Sequence, residues 1–213
     1  GWNVRDITNL LVQTGASSTE VQASIGSAAN RAPFDPKWRE EFAFLRKLPA
    51  SHSLEGYLYP DTYRVWEAQL PDGLIRKQLQ EFSDRFASST VTEKSRPLTT
   101  FDEVVTLASI VEREVRTTQE RRHVAGLFLR RLRIGMPLQS DATLSYLTAS
   151  KRDRANAEDL ALDSHYNSYQ YKGLPPGPIA NPSADSIEAV LNPLTTNDLY
   201  FLTDKEGRVY YAT

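Results

Sequence analysis

The segment that follows Thr100 constrains the fold most, because it combines a helix start signal with a wide apolar face. Thr100 and Glu103 form the T-x-x-E pattern of a capping box, in which each side chain binds the other residue's backbone N–H. At about 100° per residue, most of the apolar side chains that follow fall in one arc. The sequence therefore predicts a helix over 101–116 that packs into a hydrophobic core, with Thr106 and Ser109 on the opposite, polar side.

Two glutamates lie within this apolar arc. Glu112 has Arg116 four residues on, so an ordinary helical ion pair accounts for it. Glu114 has no basic residue three or four positions away. Unless a base such as Arg130 or Arg131 arrives from elsewhere in the fold, the pKa of Glu114 rises, which suits a general acid. The helix pattern by itself leaves the structural and the catalytic interpretation equally open.

The composition excludes several classes of function. A formal net charge of -2, with Lys and Arg scattered among acids, gives no basic surface for nucleic acid. The chain has no cysteine, which excludes disulfides and thiolate metal sites. His52, His123 and His165 lack the spacing of metal ligands, and we expect neither a metal nor another cofactor. No run of about 18 apolar residues occurs, so no segment of this sequence is predicted to span a membrane.

Apolar periodicity and turn residues divide the rest of the sequence into mainly helical pieces. Aromatic residues alternate with small or polar ones over 54–65, which we interpret as strand and loop. The stretch 163–182, rich in Pro, Gly, Asn and Tyr, is predicted to be an ordered loop. The C-terminal stretch is typical of a hairpin that turns at Lys205–Gly207. Further helices are predicted over 3–14, 18–29, 37–47, 71–87, 118–133 and 183–191.

We therefore predict an α+β fold, with helices packed around a small, mostly antiparallel sheet. The sheet is predicted to include 54–65 and the C-terminal hairpin. A cleft is expected between helix 101–116 and the loop 163–182.

Five strings carry a further signal. They are "LEGYLYPDTYRV" (54–65), "ASIVEREV" (108–115), "VAGLFLRRLRIGMPLQSDATLSY" (124–146), "YNSYQYKGLPPGPIANPSADSIEAVLNP" (166–193) and "LYFLTDKEGRVYYAT" (199–213). In this order they resemble the YceG-like domain of the MltG-type endolytic murein transglycosylases, whereas the first 50 residues and 66–100 match loosely. We assign residues 51–213 to a YceG-like catalytic core and residues 1–50 to a helical front part of the same domain.

The resemblance implies an enzyme that cleaves nascent peptidoglycan strands at the β-1,4 bond between N-acetylmuramic acid and N-acetylglucosamine, leaving 1,6-anhydro ends. It implies action at the extracytoplasmic face of the bacterial plasma membrane and partners among cell-wall synthesis proteins. An N-terminal membrane anchor and a LysM-like subdomain are expected to lie outside this chain. The family's catalytic glutamate is the second of an E-x-E, which corresponds to Glu114, acting first as acid and then as base.

Further candidate site residues follow from side-chain chemistry within these strings. Asp141 is either a second carboxylate or a helix N-cap. Gln139 and Ser140 are candidates to hydrogen-bond sugar amides or hydroxyls. Glu55 either orients the catalytic helix or binds substrate. Polar groups on a proline-stiffened loop lose little entropy on binding a sugar, which favours four more glycan contacts: Tyr166, Asn167, Tyr169 and Asn181.

Three alternatives stay open. Asn181 and the neighbouring prolines also fit a role in setting turn geometry. The chain is alternatively a peptidoglycan-binding or scaffold module without catalysis, and an assay for turnover of isolated glycan strands would discriminate this module from the enzyme. A glycoside hydrolase that uses Glu114 together with Asp141 would leave reducing ends instead of anhydro ends.

Overall fold

The computed structural model of the chain describes four stretches, residues 1–27, 32–149, 155–204 and 206–213. Within them, the chain divides into two compact units. The division of the sequence at residue 50 stays a prediction.

The first unit comprises residues 1–89 and 180–183 and is helical. Helix α1 begins after Asn3, whose side chain accepts a hydrogen bond from the Asp6 N–H in a capping box. The helix predicted over 37–47 is interrupted at Phe42, where the backbone is extended. Of the helix predicted over 18–29, residues 28 and 29 lie outside the described residues. The helices are α1 (Val4–Gln13), α2 (Ser18–Ile25), α3 (Lys37–Glu41) and α4 (Asp72–Phe86), with 3-10 turns at Ala43–Lys47 and Glu67–Gln69.

The prediction of a strand within 54–65 was wrong, because this segment forms turns that fill the core of the first unit. Gly56 adopts a φ of 92°, a left-handed conformation that favours glycine. Tyr57 and Leu58 are buried, and the Tyr57 ring meets Phe82 edge-on with centroids 5.1 Å apart. The aromatic spacing therefore reflects consecutive side chains packed around a turn, not the alternating faces of a pleated strand.

The second unit comprises residues 90–179 and 184–213. Capping boxes start two of its helices, one at Thr100 with Glu103 and the other at Thr117 with Glu120. The helices are α5 (Phe101–Glu114), α6 (Thr118–Arg133), α7 (Asp141–Thr148), α8 (Ala157–Leu160) and α9 (Ala184–Leu191), with a 3-10 turn at Glu93–Ser95. Helix α5 packs against α6, α7 and α9.

Helix α5 is enclosed on more sides than its pattern predicts. Thr106 and Ser109, predicted to face solvent, are buried. Ser109 tolerates burial because its hydroxyl donates to the Thr106 carbonyl at 2.7 Å and accepts from the Ile179 N–H at 2.9 Å. The helix ends at Glu114 instead of residue 116, with Val115 in an extended conformation. Glu114 thus lies at the C-terminus of a buried helix.

Strands β1 (Tyr200–Thr203) and β2 (Val209–Ala212) form an antiparallel hairpin in which Leu202 is opposite Tyr210. Gly207 in the turn has a φ of 82°, while Lys205 lies outside the described residues. A helix-rich chain with a small antiparallel sheet confirms the predicted α+β class. The predicted cleft between helix 101–116 and loop 163–182 stays a prediction.

Candidate active site

Within the described part of the chain, one hydrogen bond holds the side chain of Glu114. The Ser140 hydroxyl donates to Oε1 of Glu114. Among the described residues, no donor binds the second oxygen, Oε2. The residue is only partly buried, and Oε2 is not one of the buried atoms without a partner among the described residues, so this oxygen retains contact with solvent. One oxygen is therefore fixed by the protein while the other is available for proton exchange.

The surroundings of Glu114 favour its protonated form. Burial is the main cause that raises the pKa of this carboxyl above its ordinary value, and the negative charge of Asp141 adds to the effect. The hydrogen bond from Ser140 and the positive charges of Arg113 and Arg131 oppose it. The net direction is the one that the helix pattern predicts, although Arg131, one of the bases that the prediction names as an exception, does act on Glu114. A carboxyl at a helix C-terminus is further disfavoured as an anion by the helix dipole.

The bend that precedes α7 places Ser140 against Glu114. Gln139 is exposed and has a φ of 52°, in the left-handed region that non-glycine residues rarely occupy. Ser140 is the N-cap of α7, yet its side chain makes no capping hydrogen bond. Asp141 is the first helical residue, so the N-cap role considered for Asp141 was wrong. Its carboxylate instead accepts a hydrogen bond from the Tyr169 hydroxyl at 2.7 Å.

Two hydroxyl residues that the sequence did not single out join this cluster. Ser168 and Thr143 are both buried, and their hydroxyl oxygens lie 2.8 Å apart. Ser168 Oγ also accepts a hydrogen bond from the Ser140 N–H at 3.0 Å. Ser168 lies inside the "YNSY" string, but only the other three residues of that string were predicted to contact the glycan. No periodicity or spacing pointed to either residue.

Within the "YNSY" string the structure separates structural from accessible side chains. Asn167 is fully buried, and its Nδ2 donates to the carbonyls of Leu160 and Leu162 at 3.0 and 2.9 Å. Tyr166 and Tyr169 are only partly buried, with the Tyr166 ring 5.4 Å from that of Tyr146. Burial is also the main cause that raises the pKa of the Tyr169 hydroxyl above its ordinary value, which keeps it a hydrogen-bond donor.

Arg131 supports the same segment from α6. Its side chain is buried, with its Nη1 donating to the Leu138 carbonyl and its Nε to the Leu199 carbonyl at 2.7 Å. Leu138 stands two residues before Ser140. Arg131 thus holds the segment that leads into α7, and its positive charge also acts on Glu114. The neighbouring Arg130 binds Asn197 on the surface instead, at 3.2 Å.

The other glutamate of the E-x-E is engaged differently. Ser186 Oγ of α9 donates to Glu112 Oε2 at 2.6 Å, and Arg121 Nη2 of α6 lies 3.5 Å from Oε1. The sequence had predicted Arg116 of the same helix as its partner. Glu112 therefore joins three helices, and it offers a matched comparison for Glu114.

Two candidate site residues, Glu55 and Asn181, belong to the first unit and are buried there. Both oxygens of Glu55 accept from the Val4 N–H at 3.1 Å, at the start of α1. Asn181 Oδ1 accepts from the N–H groups of Gly56 and Leu58 at 2.9 and 3.0 Å. Both side chains thus bind backbone donors, which matches the interpretation that Asn181 sets turn geometry.

Among the residues that the structure describes, no group of three or more His, Asp or Glu is arranged to hold a metal ion. The same residues include no helix with the length and apolar character needed to cross a membrane. The candidate site residues of the second unit that keep some exposure are Glu114, Gln139, Asp141, Tyr166 and Tyr169.

Comparisons with known proteins agree with this architecture. A model of the YceG-like family matches residues 1–213. The chain is 40% identical over 169 residues to an endolytic murein transglycosylase of Streptococcus pneumoniae, and 36% identical over 161 residues to one of Bacillus subtilis. Each match covers 76% of this chain, but only 30% and 45% of the respective relative. A crystal structure of a YceG-like protein from Listeria monocytogenes superposes with a TM-score of 0.78 at 29% identity, over 99% of this chain and 70% of that one.

Proposed function

This chain belongs to the YceG-like family, and from that premise we propose that it is an endolytic lytic transglycosylase of peptidoglycan glycan strands. Its curated relatives are named endolytic murein transglycosylases, although the chain spans less than half of their length. The observation that carries the proposal is the partly exposed carboxyl of Glu114, whose pKa is raised by burial. A carboxyl whose protonated form is favoured by its surroundings is suited to the role of a general acid.

The reaction needs one carboxyl used twice. Glu114 first donates its proton to the oxygen of the β-1,4 bond between N-acetylmuramic acid and N-acetylglucosamine, and that bond breaks. The resulting Glu114 carboxylate then accepts the proton of the muramoyl 6-hydroxyl as this oxygen attacks the anomeric carbon. The product ends in 1,6-anhydro-N-acetylmuramic acid, and Glu114 is protonated again. The oxygen Oε2, which no described protein donor binds, is suited to both transfers.

The exposed groups near Glu114 are the proposed contacts to the glycan. Gln139 presents an amide on the exposed bend, and the partly buried Tyr166 and Tyr169 present ring faces and hydroxyls. Asp141 is proposed to act on Glu114 through its charge, which favours the protonated acid. Because murein lies outside the cytoplasm, an extracytoplasmic location is part of the proposal. Membrane anchoring and contact with cell-wall synthesis proteins belong to the same proposal.

Product analysis tests the proposal. Purified sacculi are digested with the wild-type chain, with Glu114→Gln and with Glu112→Gln, and the soluble fragments are identified by mass spectrometry. We expect anhydromuramic ends from the wild type and from Glu112→Gln, and none from Glu114→Gln, which keeps size and hydrogen bonding but not titration. Full release of anhydro fragments by Glu114→Gln would overturn the assignment.

One alternative has a specific observation in its favour. Asp141 is near enough for its charge to raise the pKa of Glu114, as in a two-carboxylate glycoside hydrolase. Such an enzyme would release fragments with reducing ends, which the same mass spectra distinguish by one added water. A binding module without catalysis would release no fragments from any variant.

A further inference from the structure

Ser168 holds two successive backbone N–H groups ahead of α7. Its carbonyl oxygen accepts from the Gln139 N–H at 2.9 Å, and its hydroxyl oxygen accepts from the Ser140 N–H at 3.0 Å. Thr143 completes the arrangement, since its hydroxyl donates to the Ser140 carbonyl at 2.8 Å and lies 2.8 Å from Ser168 Oγ. Ser140, Thr143 and Ser168 are each 3% exposed or less. This cluster therefore fixes the backbone of Ser140 from both sides.

The bend at Gln139 explains why the backbone of Ser140 needs these hydrogen bonds. A non-glycine residue with a φ of 52° is strained, and such residues persist where the surrounding contacts determine the backbone. Serine is also a preferred N-cap, yet the Ser140 side chain makes no hydrogen bond to its own helix. Its hydroxyl is directed at Glu114 Oε1 instead. A local capping bond is thus absent and a contact with the candidate acid is present.

We propose that Ser140 is a positioning residue for Glu114, held by Ser168, and that it is not a ligand of the sugar. Its hydroxyl donates to one carboxyl oxygen and leaves the other directed to the substrate. A donor to the carboxylate stabilises the anion that forms after the first proton transfer, and it limits how far burial raises the proton affinity of Glu114. This inference rests on the proposed role of Glu114. It adds the hydrogen bond that orients the carboxyl and adjusts its proton affinity.

The other groups that face Glu114 are unchanged when Ser140 loses its hydroxyl. They are Arg113 of α5, Arg131 of α6, Asp141 of α7 and Tyr169 of the loop. Replacement of Ser140 by alanine therefore isolates the effect of one hydrogen-bond donor.

A direct titration tests the proposal without any activity assay. The side-chain carboxyl of Glu114 is followed by ¹³C NMR against pH in the wild type, Ser140→Ala, Ser168→Ala and Ser186→Ala. Ser186→Ala is the matched control, because it removes a buried serine that donates to Glu112 on the same helix. We expect the Glu114 pKa to rise by about one unit in Ser140→Ala, the size of a lost hydrogen bond to a charged group. Ser168→Ala should shift it in the same direction, and Ser186→Ala should not.

Kinetics separate positioning from sugar binding. With glycan strands as substrate, Ser140→Ala should lower kcat about tenfold with little change in KM. It should also move the alkaline limb of the profile of activity against pH to higher pH. Ser140→Thr, which keeps a hydroxyl, should restore the wild-type limb. An unchanged Glu114 titration in Ser140→Ala, or a raised KM with an unmoved limb, would overturn the proposal. Because the NMR titration needs no turnover, its result stands even if the proposed lytic activity is absent.

Discussion

Asn181→Ala is predicted to destabilise the first unit strongly, because one amide oxygen satisfies two buried backbone donors. Asn181 Oδ1 accepts from the N–H groups of Gly56 and Leu58, and Asn181 itself is 1% exposed. Alanine leaves both donors without an acceptor, and each unsatisfied buried group costs about 1–3 kcal/mol. The expected loss is therefore about 2–6 kcal/mol, a large part of the roughly 5–15 kcal/mol by which a domain is stable. Alanine also removes the hydrogen bond that Asn181 Nδ2 donates to the Trp2 carbonyl at 3.1 Å, but that carbonyl keeps the bond from the backbone N–H of residue 181 at 2.8 Å.

Urea unfolding followed by circular dichroism measures this loss, and amide hydrogen exchange locates it. We expect the N–H groups of Gly56 and Leu58 to exchange faster in Asn181→Ala than in the wild type. The matched control is Asn192→Ala, which removes an exposed amide bonded to Glu188 and should change stability by about 0.5 kcal/mol or less. A loss no larger than that of Asn192→Ala, with unchanged exchange at both amides, would refute the reasoning.

Three further predictions concern the second unit. Gly126→Ala should lower the melting temperature, although alanine in a helix is ordinarily favoured by about 1 kcal/mol, because its Cβ would lie 2.0 Å from the Leu194 carbonyl oxygen; an unchanged melting temperature would contradict this. Arg131→Met should raise the Glu114 pKa in a ¹³C titration, since a positive charge is lost, whereas the exposed Arg133→Met should not. Glu114→Gln should melt above the wild type at about pH 7 and not at about pH 4, because a carboxyl with a raised pKa loses stability as pH rises from its ordinary to its raised value. An equal difference in melting temperature at both pH values would show that ionisation of Glu114 is not the cause.

Local signals in the sequence were sufficient for the start of the helix that carries Glu114. The capping box of Thr100 and Glu103 is formed within four residues, so its start was predictable. The lack of a basic residue one turn away from Glu114 likewise predicted a raised pKa, which burial produces in the structure. Both inferences depend on neighbours along the chain.

The features that sequence reasoning missed depend on tertiary contacts. Ser168 accepts a hydrogen bond from Ser140, which lies 28 residues away in the sequence. A single buried hydroxyl residue produces no periodic pattern that would predict such a contact. Thr106 and Ser109 looked like a solvent face, because periodicity does not show that α6, α7 and α9 surround α5. Aromatic alternation over 54–65 resembled a strand, although turns produce the same spacing when their side chains fill a core.

The proposed activity depends most on Glu114 as the group that supplies the proton. The most direct measurement compares two numbers for the same chain: the Glu114 pKa from ¹³C NMR and the midpoint of the alkaline limb of kcat/KM on purified glycan strands. For a general acid in the free enzyme, the two values should agree within about 0.3 units. A difference of more than about one unit would contradict the assignment of the proton donor to Glu114.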